Sequence, residues 1–369
     1  MAYIATWLNE ALQTRTADLV LDETLYDLQR RSGLLDKYMP FKTYSGRNWM
    51  AYLTKSINTM ASVIAPGAEI PSTQKGQFRK MSAEMIKVGL SHTYDENDQW
   101  AMRDAQALAE QRGIYVQDTE EGDGSDGSLA SLLFGNIQGL VRAVYELLTF
   151  QSWQIVQFGA IDYSDPRTDG NVTLDWKDSS LTAFNHFPAA LTGNALWTDY
   201  VNANGIQNLY TAVDTYIDSN GRPPEVTVMS RKALNHLLQQ LSTKQAVASV
   251  FLNGTTVQGT VGLDQLNETL SRRNIAPIVT FDERTESDIT PGTSNGGIRF
   301  LNADRFVFLN EGLGQRAIGS TIELKGQSGI FQRTYEKSLS PTIDVTEVVA
   351  NILPTAPLIS KRGFSQKVI

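Results

Sequence analysis

The sequence predicts an α+β fold organised around one long helix, and three observations carry that prediction. In residues 128–158, Leu129, Leu133, Ile137, Leu140, Val144, Leu147, Ile155 and Phe158 recur at the three- and four-residue spacing of a single helix face. Residues 181–324 alternate helical and strand patterns, as a compact α/β domain does. Residues 46–98 instead read as extended chain around a tip rich in Pro, Gly, Ser and Thr, with too few apolar residues to make a core of its own.

Taken in order, residues 1–45 form an arm of short helices, with Leu21, Leu25 and Leu28 at helical spacing before Gly33 breaks the pattern. An arm this thin cannot bury Trp7, Tyr26 and Phe41 by itself, so it must lie on something else. Residues 46–98 form the extended loop: a helix over 48–57, then a hairpin with strands at 61–64 and 81–90. Its tip carries Glu69 against Lys75, Arg79 and Lys80, a positive excess in an acidic chain. A lone two-stranded ribbon is marginal in water. Either its own domain or a neighbouring subunit must support it.

Residues 99–180 hold a helix over 98–112, a short strand at 114–117, the acidic glycine-rich linker 118–127, the spine helix 128–158, a turn at 163–170 and a strand at 172–176. The spine would span roughly 46 Å, and Asp126 or Ser128 can cap its start. Gly135 and Gly139 lie inside it, each costing about 1 kcal/mol relative to Ala. Within 181–324, a helix over 205–218 ends at Gly221, a strand covers 225–229, and Ser230 caps a helix over 231–241. A helix over 263–273, strands at 277–281 and 300–309, and an exposed loop at 286–297 complete the domain. Residues 325–369 supply two returning β segments and a tail bearing Lys361, Arg362 and Lys367.

Composition removes several function classes. A formal charge of −8 argues against coating nucleic acid by general basic attraction, although DNA can still be a neighbour. The absence of cysteine excludes disulfides, thiolate zinc sites and thiol nucleophiles. The N-terminus lacks a signal peptide pattern, so the product is expected to remain in the cytoplasm where it is made. The uncharged runs 127–141 and 147–161 are fifteen residues each, short of the ~18 to 20 that a bilayer needs.

No cofactor, metal or catalytic set is expected. Gly122, Gly124 and Gly127 fit G-x-G-x-x-G, but Glu120, Glu121, Asp123 and Asp126 would repel a pyrophosphate there. Asp162, Asp165 and Asp169 depart from the calcium-loop spacing. His92, His186 and His236 have no partners at metal-like spacing, and G-x-S-x-G is absent.

The segments VIAPGAEIPSTQKGQFRKMSAEMIKVGL and GSLASLLFGNIQGLVRAVYELLTFQSWQIVQFGAIDY resemble the extended loop and spine helix of tailed double-stranded DNA phage major capsid proteins, specifically the lambda-type capsid protein E family. TGNALWTDYVNANGIQNLYTAVDTYIDSNGRPPEVTVMSRKALNHLL resembles their axial domain, and IRFLNADRFVFLNEGLG and SPTIDVTEVVANILPTAPLI resemble the later strands. The resemblance implies the Hong Kong 97-type capsid fold. Peripheral strands would come from 99–180 and 325–369, and an axial domain from 181–324. It also implies a non-enzymatic subunit forming hexamers and pentamers in an icosahedral shell around packaged DNA.

Expected partners are further copies, a separate scaffolding protein, a portal and a decoration protein. DNA would be enclosed without sequence-specific binding. The location would be the virion, assembled in the host bacterial cytoplasm. Pro66, Gly67, Lys75, Phe78, Arg79 and Lys80 are expected to meet neighbouring subunits, with Glu120, Glu121 and Asp123 as one acidic counterpart; Gly135 and Gly139 would let the spine bend. An encapsulin-like shell around protein cargo, a cytosolic α/β enzyme or small-molecule-binding protein, and a tail or baseplate component are the alternatives.

Overall fold

The structure is a computed structural model and describes residues 33–55, 77–97, 100, 129–165, 170–178, 185–251, 261–285, 298–339 and 342–369. In chain order the elements are α1 (Gly33–Tyr38), β1 (Phe41–Thr43), β2 (Asn48–Lys55), β3 (Gln77–Glu84), β4 (Ile86–Tyr94), α2 (Leu129–Phe158), β5 (Ala160–Asp165) and β6 (Gly170–Asp175). Then follow α3 (Gly205–Asn220), β7 (Val226–Met229), α4 (Arg231–Gln239), α5 (Leu241–Phe251), α6 (Leu263–Ser271), β8 (Ile278–Thr280), β9 (Arg284–Thr285), β10 (Ile298–Arg299) and β11 (Arg305–Leu309). The chain closes with β12 (Gln315–Ile318), β13 (Ile330–Leu339), β14 (Thr342–Thr355), α7 (Ile359–Arg362) and β15 (Phe364–Lys367).

Two compact units result. The first comprises Met1–Arg47, Met85–Phe150 and Arg316–Pro354. Its sheet runs β1-β12-β14-β13, with β4 also pairing β14 antiparallel from Ile86–Ile352 to Tyr94–Asp344. Leu140, Val141, Val144, Tyr145 and Leu148 of α2 bury against Ile318, Val348, Ala350 and Ile352 of that sheet. Leu140 and Val144 are on the face that the apolar spacing marks, Val141, Tyr145 and Leu148 widen it, Leu147 is only partly buried, and Phe158, expected on the buried side, is 40% exposed. Burial pushes the Tyr145 hydroxyl up to about 12, so the ring stays neutral in this core.

The second unit comprises Asn48–Glu84, Gln151–Gln315 and Thr355–Ile369. Its sheet is ordered β15-β11-β7-β8. Trp197, Leu209, Val213, Tyr216, Leu237, Leu266 and Phe306 form its core together with Phe364 and Val368 of the tail. As expected, α3 is capped by a left-handed Gly221 (φ 74°), and the Ser230 side chain accepts from Ala233 N at the start of α4.

Several expectations need correction. Residues 48–55 form strand β2, not a helix. Their residues pair from Asn48↔Glu84 to Lys55↔Gln77, and this ladder satisfies backbone groups that a short helix would have left open at its ends. The strand expected over 81–90 is two strands separated at the buried Met85, whose N–H bonds Arg47 O where the chain passes from ribbon to sheet. Gly33 opens α1, and the helical pattern expected before it, at Leu21, Leu25 and Leu28, lies outside the described residues. The turn expected over 163–170 is narrower, because β5 extends to Asp165 and pairs with β6.

The strand expected over 300–309 is confined to Arg305–Leu309; before it, Gln157 takes Phe300 O and Asn302 N as side-chain partners. The helix expected over 231–241 stops at Gln239, and α5 follows it. The end of the chain does not return to the first unit with 325–354, since β15 pairs antiparallel with β11 in the α/β sheet. Residues 151–180 likewise cluster with the second unit rather than with 99–150. The strands at 61–64 and 114–117, the linker 118–127 and the loop 286–297 lie outside the described residues.

Candidate inter-subunit surface

In the second unit, β2 and β3 form a two-stranded ribbon that pairs with no further strand among the described residues. Strand alternation divides it into two faces. One face carries Trp49, Ala51, Met81 and Ala83; the other carries Asn48, Met50, Lys80, Ser82 and Glu84. Trp49 is 4% exposed and meets Trp176 edge to face, centroids 5.4 Å apart. Trp176 is set by its N–H bond to Gly159 O, at the left-handed residue (φ 69°) that closes α2. On the opposite face Met50 is 53% exposed. The ribbon is thus fastened at its base on one side and presents an apolar side chain to solvent on the other.

The expected contact residues fall unevenly on this frame. Pro66, Gly67, Lys75, Glu120, Glu121 and Asp123 lie outside the described residues. Phe78, Arg79 and Lys80 are on β3, opposite Thr54, Leu53 and Tyr52. Of the three, only the side chain of Lys80 is among those described, and it is exposed on the face that carries Met50. Gly135 and Gly139 both lie within α2, and a Cβ built on Gly139 meets no atom within 4 Å. Close packing among the described residues therefore does not demand a glycine at 139.

Two apolar residues escaped the sequence reading. Met50 was hidden by the helical reading of its segment. Ile322, 93% exposed, tops a turn between Gly319 and Gly329. That turn is held by Gly326 N to Thr321 O, Ser328 Oγ to Tyr44 O, and Asn351 Nδ2 to Ser320 O. The Lys87–Glu323 pair at 2.5 Å adds to it and keeps the Glu323 carboxyl below its ordinary range. The backbone order that presents Ile322 exists before any partner arrives, which lowers the entropy cost of contact. Nothing in the residue types signals this; only the fold exposes it.

The groups considered for chemistry are dispersed. His92 sits on β4 opposite Thr346, His186 is buried, and His236 bonds Tyr200 Oη at 2.9 Å. Asp162 and Asp165 lie on β5, while Asp169 and the 122–127 glycines lie outside the described residues. Among the described residues there is no cluster of three or more metal-ligating side chains. No helix among them is long and apolar enough to cross a membrane.

No protein-family profile matches the chain, and no curated protein matches it. Solved structures do. The chain is similar to a candidate capsid protein of an Escherichia coli CFT073 prophage, with a TM-score of 0.55 and 12% identity over 94% of this chain and 98% of the other. A phage-related protein of Bordetella bronchiseptica RB50 matches with a TM-score of 0.47 and 13% identity over 92% and 95% of the two chains. The capsid of Myoviridae phage XM1 matches with a TM-score of 0.44 and 11% identity over 92% of each. The mixed α+β fold is that of Hong Kong 97-type capsid structures.

Proposed function

We propose that this chain is a phage major capsid protein, a non-enzymatic subunit that assembles as hexamers and pentamers into an icosahedral shell around double-stranded DNA. The observation that carries the reading is the whole-chain similarity in fold to the prophage capsid candidate, at nearly full coverage of both chains. The base-fastened ribbon supports it, since an arm with one open face suits contact between copies better than life as a monomer. In this reading residues 1–45 and 46–98 are arms reaching neighbours. The sheet with the first part of α2 is the peripheral domain, and the α/β unit around 185–315 is the axial domain. The lambda-type family, with separate scaffolding, portal and decoration partners, is the finer form of the proposal.

Pro66, Gly67, Lys75, Phe78, Arg79 and Lys80 would contact neighbours, and Glu120, Glu121 and Asp123 would offer an acidic counterpart. Gly135 and Gly139 would give the spine room to bend. The acidic balance of the chain would let DNA lie near the wall without binding it tightly. The test is electron microscopy of the expressed protein and of particles from its host. Closed shells that contain nucleic acid are expected. Shells holding an enzyme and no nucleic acid would make it a nanocompartment. Tubes, rings or a stable monomer with a ligand-dependent melting shift would overturn the shell reading.

A further inference from the structure

The C-terminal segment is stitched into the second unit from both sides. β15 pairs with β11 on one edge. On the other, Ser365 N donates to His186 O at 3.0 Å and Leu191 N donates to Lys367 O at 3.1 Å. His186 is 2% exposed, and its Nδ1 lies 2.6 Å from Gly363 O. A carbonyl only accepts, so Nδ1 carries the proton of the neutral ring and Nε2 is the bare lone pair. Among the described residues the buried Nε2 has no hydrogen-bond partner, and the ring lies against Tyr216 and Phe364 at centroid distances of 5.8 and 6.3 Å.

We propose that His186 is an acid-responsive clamp on the C-terminal segment: neutral, it holds Gly363 and Ser365 against the sheet, and protonated, it lets β15 come away from β11. A second N–H and a full charge would arrive where there is no acceptor, and burying an unpaired charge is far costlier than burying a lone pair. The charged groups on the packed elements cannot relieve it. On the tail, Arg362 is engaged with the carbonyls of Glu311 and Gly312. Lys367 faces Asp304, and Arg305 is directed to Ser365 Oγ and Gln157 O. Arg222 and Glu225, beyond the end of α3, act on Tyr216. Among the described residues none pairs with the imidazole.

Burial holds the imidazole below the ordinary histidine range, and the Gly363 carbonyl opposes this only in part. The open segment therefore takes up the proton more readily than the closed one. The clamp is fully present above about pH 6.5 and weakens as the pH falls below it. Each pKa unit between the closed and open states is worth about a tenfold change in opening. The clamp lies within one copy of the chain and operates whether or not copies assemble.

The test is hydrogen exchange read by mass spectrometry on the full chain at about pH 7.5 and about pH 5, corrected for intrinsic exchange, beside His186→Gln, whose amide can still donate to Gly363 but does not titrate. In the wild type, protection over 363–368 should be lost at the lower pH while β7 keeps its own. In the variant it should change little. Equal protection at both pH values in the wild type, or equal losses in the two proteins, would overturn the proposal. If the variant does not fold, the wild type decides alone: loss confined to 363–368 supports the clamp, and loss shared equally with β7 rejects it.

Discussion

The guanidinium of Arg316 lies 3.7 Å from the centre of the Phe41 ring, and both residues belong to paired strands, Phe41 of β1 opposite Arg316 of β12. Arg316 is fully buried. Its Nε donates to Met39 O at 2.7 Å, and a terminal nitrogen pairs with Asp36. Burial lowers the guanidinium to about 9, which leaves it charged at neutral pH. One side chain thus fastens the end of the arm, residues 36–41, to the sheet. Arg316→Ala should destabilise the subunit by about 3 kcal/mol, because it empties a fully buried site and takes the donor away from the Met39 carbonyl. Arg316→Lys should recover only part of this, since a point charge cannot stack on the ring and make both contacts together. Urea unfolding of the three proteins measures it; variants within error of the wild type would mean that the arm is held by Leu35, Tyr38 and Met39 alone.

The ribbon separates folding from assembly within two adjacent residues. Trp49→Ala removes a buried ring from its contact with Trp176 and should cost about 3 kcal/mol or more. It should also speed proteolysis of the ribbon. Met50→Ser alters an exposed side chain and should change subunit stability by less than about 0.5 kcal/mol. If copies cover that face, it will nevertheless lower shell yield. Normal assembly of Met50→Ser would remove the open face from the interface.

The register also refines the charge hypothesis. Lys80 is exposed and shares the face of Met50. The charge of that face can therefore be tested at one residue. Exposed pairs are worth only ~0 to 1 kcal/mol each, so the effect should fall on rate and register more than on affinity. Lys80→Glu should slow assembly with a salt dependence that the uncharged Lys80→Gln does not share, as light scattering would record. Identical kinetics in the two variants would indicate that this charge does not steer contact.

What could be read in advance was local. Helix α2 begins within a residue of the expected start because its apolar spacing runs long enough to exclude a strand, and Ser230 and Gly221 act as caps through their immediate neighbours. Residues 48–55 misled because eight residues can satisfy either period, and only the distant partner strand 77–84 decides between them. The same holds for β15, whose four residues join a strand some sixty positions earlier. Residue type alone would put Arg316 at the surface and Ile322 in the core. One is fully buried and the other almost fully exposed, and nothing adjacent to either foretells it.

Gly139 is where the structure sharpens the question of the spine. A glycine in a helix interior is retained against a cost of about 1 kcal/mol. The usual reason is a neighbour too close for a Cβ, yet here that position opens onto space. Gly139→Ala should therefore stabilise the isolated subunit by about 0.5 to 1 kcal/mol, raising its melting temperature without altering its fold. Among the described residues nothing approaches that position, which leaves a partner surface that meets the helix at 139, or a bend that the helix must make when copies assemble. Gly139→Ser discriminates between them, being larger than alanine but a poorer helix former. If approach is the constraint, serine should impair shells more than alanine. If bending is the constraint, alanine should impair them at least as much, and it should do so at maturation rather than at initial closure. Shells that assemble and mature normally with both variants would leave the glycine without a role in the particle.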